Sequence, residues 1–495
     1  MSWIRTVSFV VLSAICLFMT GCERYHAKLL LPSEVVEAVQ RERLGLEPLG
    51  PAATNSPEAS AAPVPFTFPH ATELMARYGP ALKEARAEYQ TALARARVKT
   101  PLSNPVLEVG PNYGFGPDMG KLYRLQPFGS LGFTIPTGGK RKRQDELNRV
   151  TAELMFIELQ AKHRDLYLGL RRLYAQWTLG RAKLEVRTKI EESAGKSVAV
   201  GRKLIEAGFA TALDLGLLDL EAARIKTETL NAQRDQANVE GELSEMLGVH
   251  ADHFKAPPDP ALPELPGAAR EQKDLREILV ANHPELARLR ARYEAVEAEL
   301  HLEIARQYPD FHFGPSYQRE SGEKKSILGL SLGIELPLFD RNQQGIAESK
   351  ARREEVRVKY ESAANRALAA LDRAWRNNQL ANEKLKLIRT VLTPKAEANI
   401  ALARKSIEAG VTDMLRFLEA ERGQRAVMID AIEAEFAVRE GWVELEQAVG
   451  LPLIQFPGES REAVPPLQKD QAEEKKAGEA PAKEAPTQDR QGATP

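Results

Sequence analysis

The sequence predicts a mainly α-helical protein that contributes four β-strands to a membrane β-barrel. Three observations lead to this prediction. The chain repeats its landmarks after about 200 residues, four short segments alternate between apolar and small or polar residues, and the rest of the patterned sequence has helical periodicity. Each repeat would therefore hold two strands and a pair of long antiparallel helical segments.

The N-terminal region, residues 1–21, is expected to be a lipoprotein signal peptide. The apolar run from Val7 to Met19 follows Arg5 and is too short to span a bilayer as a helix. Small residues precede Cys22, as in bacterial lipoproteins, so we expect lipidation at Cys22; the alternative is an ordinary signal peptide followed by an incidental cysteine. Residues 22–69 are then a lipid-anchored linker, and residues 452–495 a disordered tail.

Matched landmarks set the limits of the two repeats at residues 70–250 and 271–451, with a Pro-rich linker at 251–270 between them. The segment 202–208 returns as 404–410, and the segment 110–113 returns as 314–317. Pro105 matches Pro309, and Pro136 matches Pro337. A duplication of this length indicates one structural half used twice.

Two predicted β-hairpins, at 104–136 and 309–337, carry the alternating segments. In the first segment Leu107 and Val109 share one face, while Glu108 and Gly110 share the other. The remaining three segments alternate in the same way. Strands of about ten residues with one apolar face and one face of small or polar residues fit the wall of a lipid-facing barrel. A half-buried sheet of a water-soluble protein would give the same alternation and remains the alternative.

Long helices account for the rest of each repeat. A distance of 72 residues separates Pro136 from Gly208, and 73 separate Pro337 from Gly410, so each stretch would be ~108 Å long as one helix. Shorter helices are expected at 211–247, 275–306, 412–449 and 70–99. Coiled-coil seams are indicated by the apolar series Leu166, Leu170, Leu173, Trp177, Leu184 and Ile429, Ile432, Phe436, Val443.

Four strands cannot close a water-filled barrel, and an open strand edge is not tolerated in lipid. The barrel must therefore be shared between copies of the chain. Three copies would give a homotrimer with a 12-stranded barrel, continued by an α-helical tunnel around a hollow interior.

Both strand-to-helix junctions carry a resemblance to a known family. The segments 332–343 (LGIELPLFDRNQ) and 134–141 (TIPTGGKR), which contain Pro337 and Pro136, resemble the two junctions of the TolC-like outer membrane efflux proteins. The segment 332–343 is similar particularly to members that serve heavy-metal cation efflux. The resemblance covers about residues 70 to 451. It implies an outer membrane trimer that forms the passive exit duct of a tripartite pump.

The same resemblance implies the partners. They are a periplasmic adaptor (membrane fusion) protein, an inner membrane transporter of the RND type, and outer membrane lipids. The exported substrate would be heavy-metal cations or drugs. Most of the chain would extend from the outer membrane into the periplasm.

The ends of the two helical hairpins are similar to the adaptor-contacting tips of this family. Glycine permits a tight turn between helices, and a threonine can cap the helix that follows. The expected tip residues are Gly208, Thr211, Leu213, Asp214, Gly410, Thr412, Asp413 and Leu415. A candidate periplasmic gate comprises Asp214, Arg416 and Glu419; because Arg416 stands where Asp214 stands in the first repeat, the two tips differ in charge.

Other classes of function have less support in the sequence. The chain has 68 basic and 69 acidic residues, which gives no electrostatic case for binding nucleic acid. It has no recognisable catalytic constellation, so no enzyme activity, cofactor or metal site is expected, and the histidines (His163, His250, His253, His283, His301 and His312) are expected at the surface. The functional alternatives are a periplasmic coiled-coil scaffold and an adaptor subunit, neither of which would form a pore.

Overall fold

The computed structural model describes residues 25, 28, 30–44, 66–113, 125–206, 211–254, 271–320, 325–408 and 414–456. The chain forms two compact units, residues 1–55 and 56–495. In the first unit the described residues include helix α1 (Pro32–Leu44). Glu37 and Arg41 form an exposed ion pair one turn apart on this helix.

The elements of the second unit follow the order that the sequence predicts for the two repeats. The first repeat holds α2 (Phe68–Tyr78), α3 (Pro80–Arg97), β1 (Val106–Tyr113), β2 (Leu125–Ile135), α4 (Lys140–Glu206) and α5 (Ala212–Leu247). A short 3₁₀ turn follows at Ala251–Phe254. The second repeat holds α6 (Gln272–Asn282), α7 (Pro284–Arg306), β3 (Phe311–Glu320), β4 (Lys325–Ile334), α8 (Gln343–Leu387), α9 (Thr393–Glu408) and α10 (Met414–Val449).

The four strands form a single antiparallel sheet in the order β1-β2-β3-β4. Each predicted hairpin is present, and β2 pairs with β3 so that the hairpins of the two repeats become one sheet. β1 and β4 are the edge strands. Among the described residues, each of them pairs with one neighbour only.

Strand register separates the two faces of the sheet as the sequence predicts. On one face Leu107 lies opposite Leu131, and Phe133 lies opposite Phe313, whose ring stacks on it at 4.8 Å between centroids. The other face carries small and polar pairs, which are Glu108 with Ser130, Ser130 with Ser316, Gly314 with Ser331, and Thr134 with His312. The apolar face is exposed in this single chain; Leu328, for instance, is 83% exposed.

The long helix of each repeat forms as predicted. α4 runs without interruption for 67 residues, which corresponds to about 100 Å. The equivalent helix of the second repeat consists of α8 and α9 joined by a π-helical turn at Ile388–Leu392. A π-helical turn widens the helix locally, so the side chains that follow it point in a different direction around the helix axis.

The shorter helices before each hairpin are broken, and the prediction of continuous helices at 70–99 and 275–306 is wrong. The first breaks at Gly79 and Pro80, and the second at His283 and Pro284. Proline disfavours helical backbone at the residue before it and has no amide hydrogen to donate. Consistent with this, Gly79 and His283 have extended ψ angles of 115° and 122°. The two repeats thus share the same break at equivalent positions.

The core extends beyond both ends of the predicted repeats. Phe66 and Phe68, which the sequence placed in the linker, are each 2% exposed, and Phe68 stacks on Phe456 with ring centroids 4.5 Å apart. Ile454 and Phe456, which the sequence placed in the disordered tail, are 4% and 3% exposed. The ordered second repeat therefore reaches residue 456 at least.

A buried ion pair lies within this aromatic cluster. Arg171 and Glu446 are fully buried, and the Arg171 Nε–Glu446 Oε2 distance is 2.8 Å. Arg171 Nη2 also donates to the carbonyl oxygen of Ile454, while the amides of Leu453 and Ile454 donate to Glu446. Burial raises the pKa of the Glu446 carboxyl, opposed by the Arg171 guanidinium. Because both charges are hydrogen-bonded, the pair fixes where the last residues of the repeat dock.

None of the described helices is long and apolar enough to cross a bilayer.

His163 is buried at 3% exposure, so its prediction as a surface residue is wrong. It lies on α4, and burial together with the nearby Arg86 and Arg164 lowers its pKa to about 4. A histidine with this pKa is neutral in the folded protein at pH 5, where the unfolded chain would carry the proton.

Lowering the pH is therefore expected to destabilise the folded protein, because His163 is buried in its neutral form. The pKa of His163 is lower in the folded protein than in the unfolded chain. The free energy of unfolding is therefore unaffected by this residue above the unfolded pKa of 6.5, and it decreases as the pH falls towards 4, by up to about 3 kcal/mol. Chemical denaturation of the wild type and His163→Gln between pH 7.5 and 4.5 tests this, with His301→Gln, at a more exposed histidine, as the control. The stability of the wild type should fall relative to His163→Gln; parallel curves for the two proteins would contradict the assignment.

Candidate functional site: sheet, junctions and hairpin ends

The first strand-to-helix junction, after Pro136, is hydrogen-bonded to the start of the second hairpin. The Thr137 amide donates to Asp310 Oδ1 at 3.0 Å, and Lys140 Nζ lies 2.7 Å from the same oxygen. The Thr137 hydroxyl donates to the Pro309 carbonyl oxygen. Gly138 has a φ of +62°, and a side chain there would meet the Ala305 carbonyl oxygen at 2.9 Å. This junction therefore joins the two repeats just outside the sheet.

The second junction, after Pro337, is built differently. Asn342 takes a left-handed φ of 55°, and its Nδ2 donates to the Glu303 carbonyl oxygen at 2.8 Å and to Glu303 Oε2 at 2.7 Å. Arg341 Nε donates to the Pro337 carbonyl oxygen at 3.0 Å. These contacts attach the start of α8 to the end of α7. They leave Leu338 and Phe339 exposed, Phe339 at 91%.

At the first hairpin end, Thr211 caps α5 as the sequence predicts. Thr211 Oγ1 accepts from the Asp214 amide at 3.3 Å, and Asp214 Oδ2 accepts from the Thr211 amide at 2.9 Å, which is a reciprocal capping box. The hydrogen bonds from the Thr211 hydroxyl and amide hold the pKa of the Asp214 carboxyl below its ordinary value. Asp214 therefore stays ionised at the positive end of the helix dipole.

The remaining predicted tip and anchor residues divide into two groups. Leu213 and Leu415 are 74% and 49% exposed, and Arg416 and Glu419 are exposed as well. The Leu213 and Leu415 side chains are therefore accessible to another molecule in the isolated chain. The other predicted residues, Cys22, Gly208, Gly410, Thr412 and Asp413, lie outside the described residues.

The sequence did not predict the ion bridge that joins the two hairpins. Glu221 of α5 is 7% exposed, and its two carboxylate oxygens accept hydrogen bonds from Arg422 and Arg425 of α10, both at 2.6 Å. The Arg422 guanidinium lowers the pKa of the Glu221 carboxyl, although burial opposes it. The bridge lies roughly three turns after the Thr211 cap.

A second acidic residue completes this cluster. Glu421 Oε2 lies 3.5 Å from Arg425 Nη1, and burial raises the pKa of the Glu421 carboxyl. Two arginines and two glutamates thus share a partly buried space between the hairpins. Arginine pairs at a spacing of three are a weak signal in a helix, and the partner Glu221 is 201 residues away, so local sequence could not reveal the contact.

Within the described residues there is no group of three or more His, Cys, Asp or Glu side chains that could hold a metal ion.

Sequence comparison matches the second repeat to a known family. The family model described as "Outer membrane efflux protein" matches residues 275–451. The chain is 24% identical over 296 residues to the cobalt-zinc-cadmium resistance protein CzcC of Cupriavidus metallidurans, covering 59% of this chain and 69% of that protein. It is 29% identical over 264 residues to the outer membrane protein OprJ of Pseudomonas aeruginosa, covering 49% of this chain and 52% of OprJ.

Solved structures show the same fold. CusC, described in terms of transmembrane channel formation, aligns with a TM-score of 0.63 at 18% identity and covers 81% of this chain and 99% of CusC. The outer membrane protein VceC of Vibrio cholerae aligns with a TM-score of 0.63 at 17% identity, covering 77% of this chain and 96% of VceC. The resemblance to the TolC-like outer membrane efflux proteins is therefore confirmed, by sequence in the second repeat and by fold over most of the chain.

Removing the carboxylate charge of Glu221 is expected to destabilise the packing of the two hairpins. Hydrogen bonds to charged groups contribute about 1.5–3 kcal/mol, so Glu221→Gln should lower the free energy of unfolding by an amount in this range. Glu228→Gln is the matched control, because Glu228 is on the same helix and pairs with Arg187 and Arg224 at 46% side-chain exposure. Pairs at such exposure contribute about 0–1 kcal/mol. Equal losses for the two variants, measured by chemical denaturation, would contradict the bridge.

Proposed function

We propose that this protein is the outer membrane channel of a tripartite efflux system and conducts its substrate passively to the outside. The observation that carries the proposal is the four-stranded sheet, which has one apolar face and one face of small and polar residues. Within the described part of the chain, its two edge strands each lack a partner on their outer side. An exposed apolar face is costly in water and favourable in lipid, where unpaired edges need strands from another copy. A homotrimer with a 12-stranded barrel meets both requirements.

The long helices support a duct below the sheet. α4 and the continuous α8–α9 helix both start at the same end of the sheet, because β2 and β4 run in parallel directions within the antiparallel order. Both helices return through α5 and α10. Three copies would place twelve such helical segments around a common axis, in the periplasm, with the apolar sheet face in the outer membrane. The lipid attachment at Cys22 would hold the N-terminus at the same membrane.

For the substrate, the relative CzcC points to divalent heavy-metal cations. That protein is named for cobalt, zinc and cadmium resistance, and it matches 59% of this chain. OprJ, with a shorter match, leaves drugs as the second substrate class. The partners would be a periplasmic adaptor, which contacts Leu213 and Leu415 at the hairpin ends, and an inner membrane transporter of the RND type that supplies the energy.

The ion bridge between the hairpins is the proposed restraint on the periplasmic opening. Glu221 joins α5 to α10, so the two hairpin ends cannot separate without breaking its contacts with Arg422 and Arg425. The charges of Asp214, Arg416 and Glu419 lie closer to the ends of the hairpins and would set the charge of the opening. An adaptor that competes for these contacts would release the hairpins.

Reconstitution into planar lipid bilayers tests the channel directly. Wild-type protein is expected to give small, infrequent openings, and Glu221→Gln should increase the mean current by several-fold because the restraint on the hairpins is weakened. Glu228→Gln should behave like the wild type. Absence of any conductance from both the wild type and Glu221→Gln would count against a pore and in favour of a scaffold or adaptor.

Metal tolerance in cells tests the substrate. Deleting the gene should lower the inhibitory concentration of zinc, cobalt or cadmium, and expression of the wild-type chain should restore it. Unchanged metal tolerance combined with increased drug sensitivity would overturn the metal assignment and leave the channel intact.

A further inference from the structure

The small and polar face of the sheet carries two large apolar side chains at one level. Among the described strand residues on this face, the apolar side chains are those of Val106, Phe128 and Ile327. Phe128 lies opposite Gln318 of β3, and Gln318 lies opposite Ile327 of β4. Adjacent strands are about 4.8 Å apart, so Phe128 and Ile327 are separated by about 10 Å, with Gln318 between them. They interrupt the polar face at the same distance along the strands.

Both side chains are accessible in the single chain. Ile327 is 48% exposed, and Phe128 is half-buried. The stacked aromatic pair of the sheet, Phe133 with Phe313, lies on the other face. An apolar side chain that faces water contributes less to stability than a buried one. Packing within the chain therefore does not explain why Phe128 and Ile327 stand on a face of small and polar residues.

The neighbouring side chains leave these two projecting from the face. Gln318 Nε2 donates to Gln126 Oε1 at 2.8 Å, and Gln126 is one level further from the helices. The Gln318 amide is thus held away from the level of Phe128 and Ile327. Towards the helices, the next two levels on β2, β3 and β4 carry only serine and glycine, which are Ser130, Gly132, Gly314, Ser316, Gly329 and Ser331.

Phe128 and Ile327 lie in the half of the sheet that is remote from the helices. Each precedes the last residue of its strand by seven positions, and α4 and α8 follow these strand ends. At about 3.3 Å per residue, this separation is roughly 23 Å along the strand. With the helices in the periplasm, as proposed above, the two side chains are close to the outer opening of the barrel.

We propose that Phe128 and Ile327 form an apolar collar in the lumen of the barrel, which restricts the size and the hydration of the solutes that pass. This inference rests on the proposed function and adds a second constriction, far from the hairpin ends. Three copies would place six apolar side chains around the lumen at one level. Barrels of about eight strands are filled by their own side chains, whereas those of about 16 strands enclose an aqueous channel. In a barrel of intermediate size, the inward side chains decide how open the lumen is.

The collar acts on water and ions more than on apolar solutes. Apolar constrictions gate channels because water leaves them readily, and a hydrated ion then meets a barrier. A solute with apolar surface contacts the collar favourably. Gly110 leaves a gap in each copy, because it lies opposite Phe128 and an added Cβ would meet no atom of the described residues within 4 Å. Ions therefore pass on the β1 side of each copy, and the collar slows them without excluding them.

Cysteine labelling from outside intact cells tests the collar without a current measurement. Ser130→Cys places a thiol on the helix side of the collar, and Asn112→Cys places one on its outer side. A small membrane-impermeant thiol reagent should label both. A maleimide attached to a long polyethylene glycol chain should label Asn112→Cys and react much more slowly with Ser130→Cys. The wild type, with Cys16 and Cys22, gives the background.

Removing the collar should open the path to the inner thiol. Phe128→Ala with Ile327→Ala should raise the rate at which the polymer labels Ser130→Cys several-fold. The matched control is Leu131→Ala with Leu330→Ala, three residues further along the same two strands and on the apolar face. This control should leave the labelling rate unchanged.

The possible outcomes separate the collar from the proposed function. Equal polymer labelling of Ser130→Cys with and without the two alanine substitutions would overturn the collar and leave the channel standing. Failure of the small reagent to label Asn112→Cys in protein that has reached the outer membrane would show that this face does not line a lumen. That result would overturn the barrel itself.

Filling the gap should have the opposite effect and does not depend on the alanine variants. Gly110→Leu should lower the unitary conductance in planar bilayers several-fold, measured together with Glu221→Gln so that the hairpin ends do not limit the current. Gly129→Leu is the control, because Gly129 lies on the apolar face and a Cβ there would meet Val109 Cγ1 at an ordinary 3.8 Å. Unchanged conductance in Gly110→Leu, or an equal decrease in both variants, would contradict the collar.

Discussion

Pairing between β2 and β3 is the contact on which the arrangement of the second unit depends. It converts two hairpins, which are marginal alone, into one sheet of four strands with continuous faces. It also brings Thr137 against Pro309 and Asp310, so the helices next to the sheet start from a fixed position. The hydrogen bonds between strands thus determine how the helices of the second unit are positioned.

Sequence reasoning succeeded where the determining interactions are local. Strand alternation follows from the period of two, and the capping box of Thr211 and Asp214 spans four residues, so both could be read directly. It failed where the determining interactions are distant. Arg171 and Glu446 are 275 residues apart, and Glu221 is 201 residues from Arg422, and no short motif connects such pairs. In the sequence alone, these charged residues cannot be distinguished from the surface charges of a helix.

The broken helices are a different kind of failure, because the necessary information was local. Pro80 and Pro284 each begin a helix, and proline disfavours helical backbone at the residue before it, so the sequence contains the signal for both breaks. The limits of the core were also set too narrowly, since Phe66 and Ile454 lie in segments whose composition is typical of linkers. Composition averages over a window and cannot detect two or three apolar residues that dock onto a preformed aromatic cluster. Of the candidate site, the sequence identified the cap and the exposed tips, but not the bridge between them.

The buried pair of Arg171 and Glu446 has a consequence for how the chain is made. The first repeat is synthesised before the second, so the Arg171 guanidinium cannot pair with the Glu446 carboxylate until almost the whole chain has been made. The Ile454 carbonyl oxygen, another of its partners, arrives later still. A chain that ends early would keep an uncompensated charge in an aromatic core, which disfavours the packed state. Packing around Arg171 therefore depends on the last residues of the second repeat, which are the last part of this region to be synthesised.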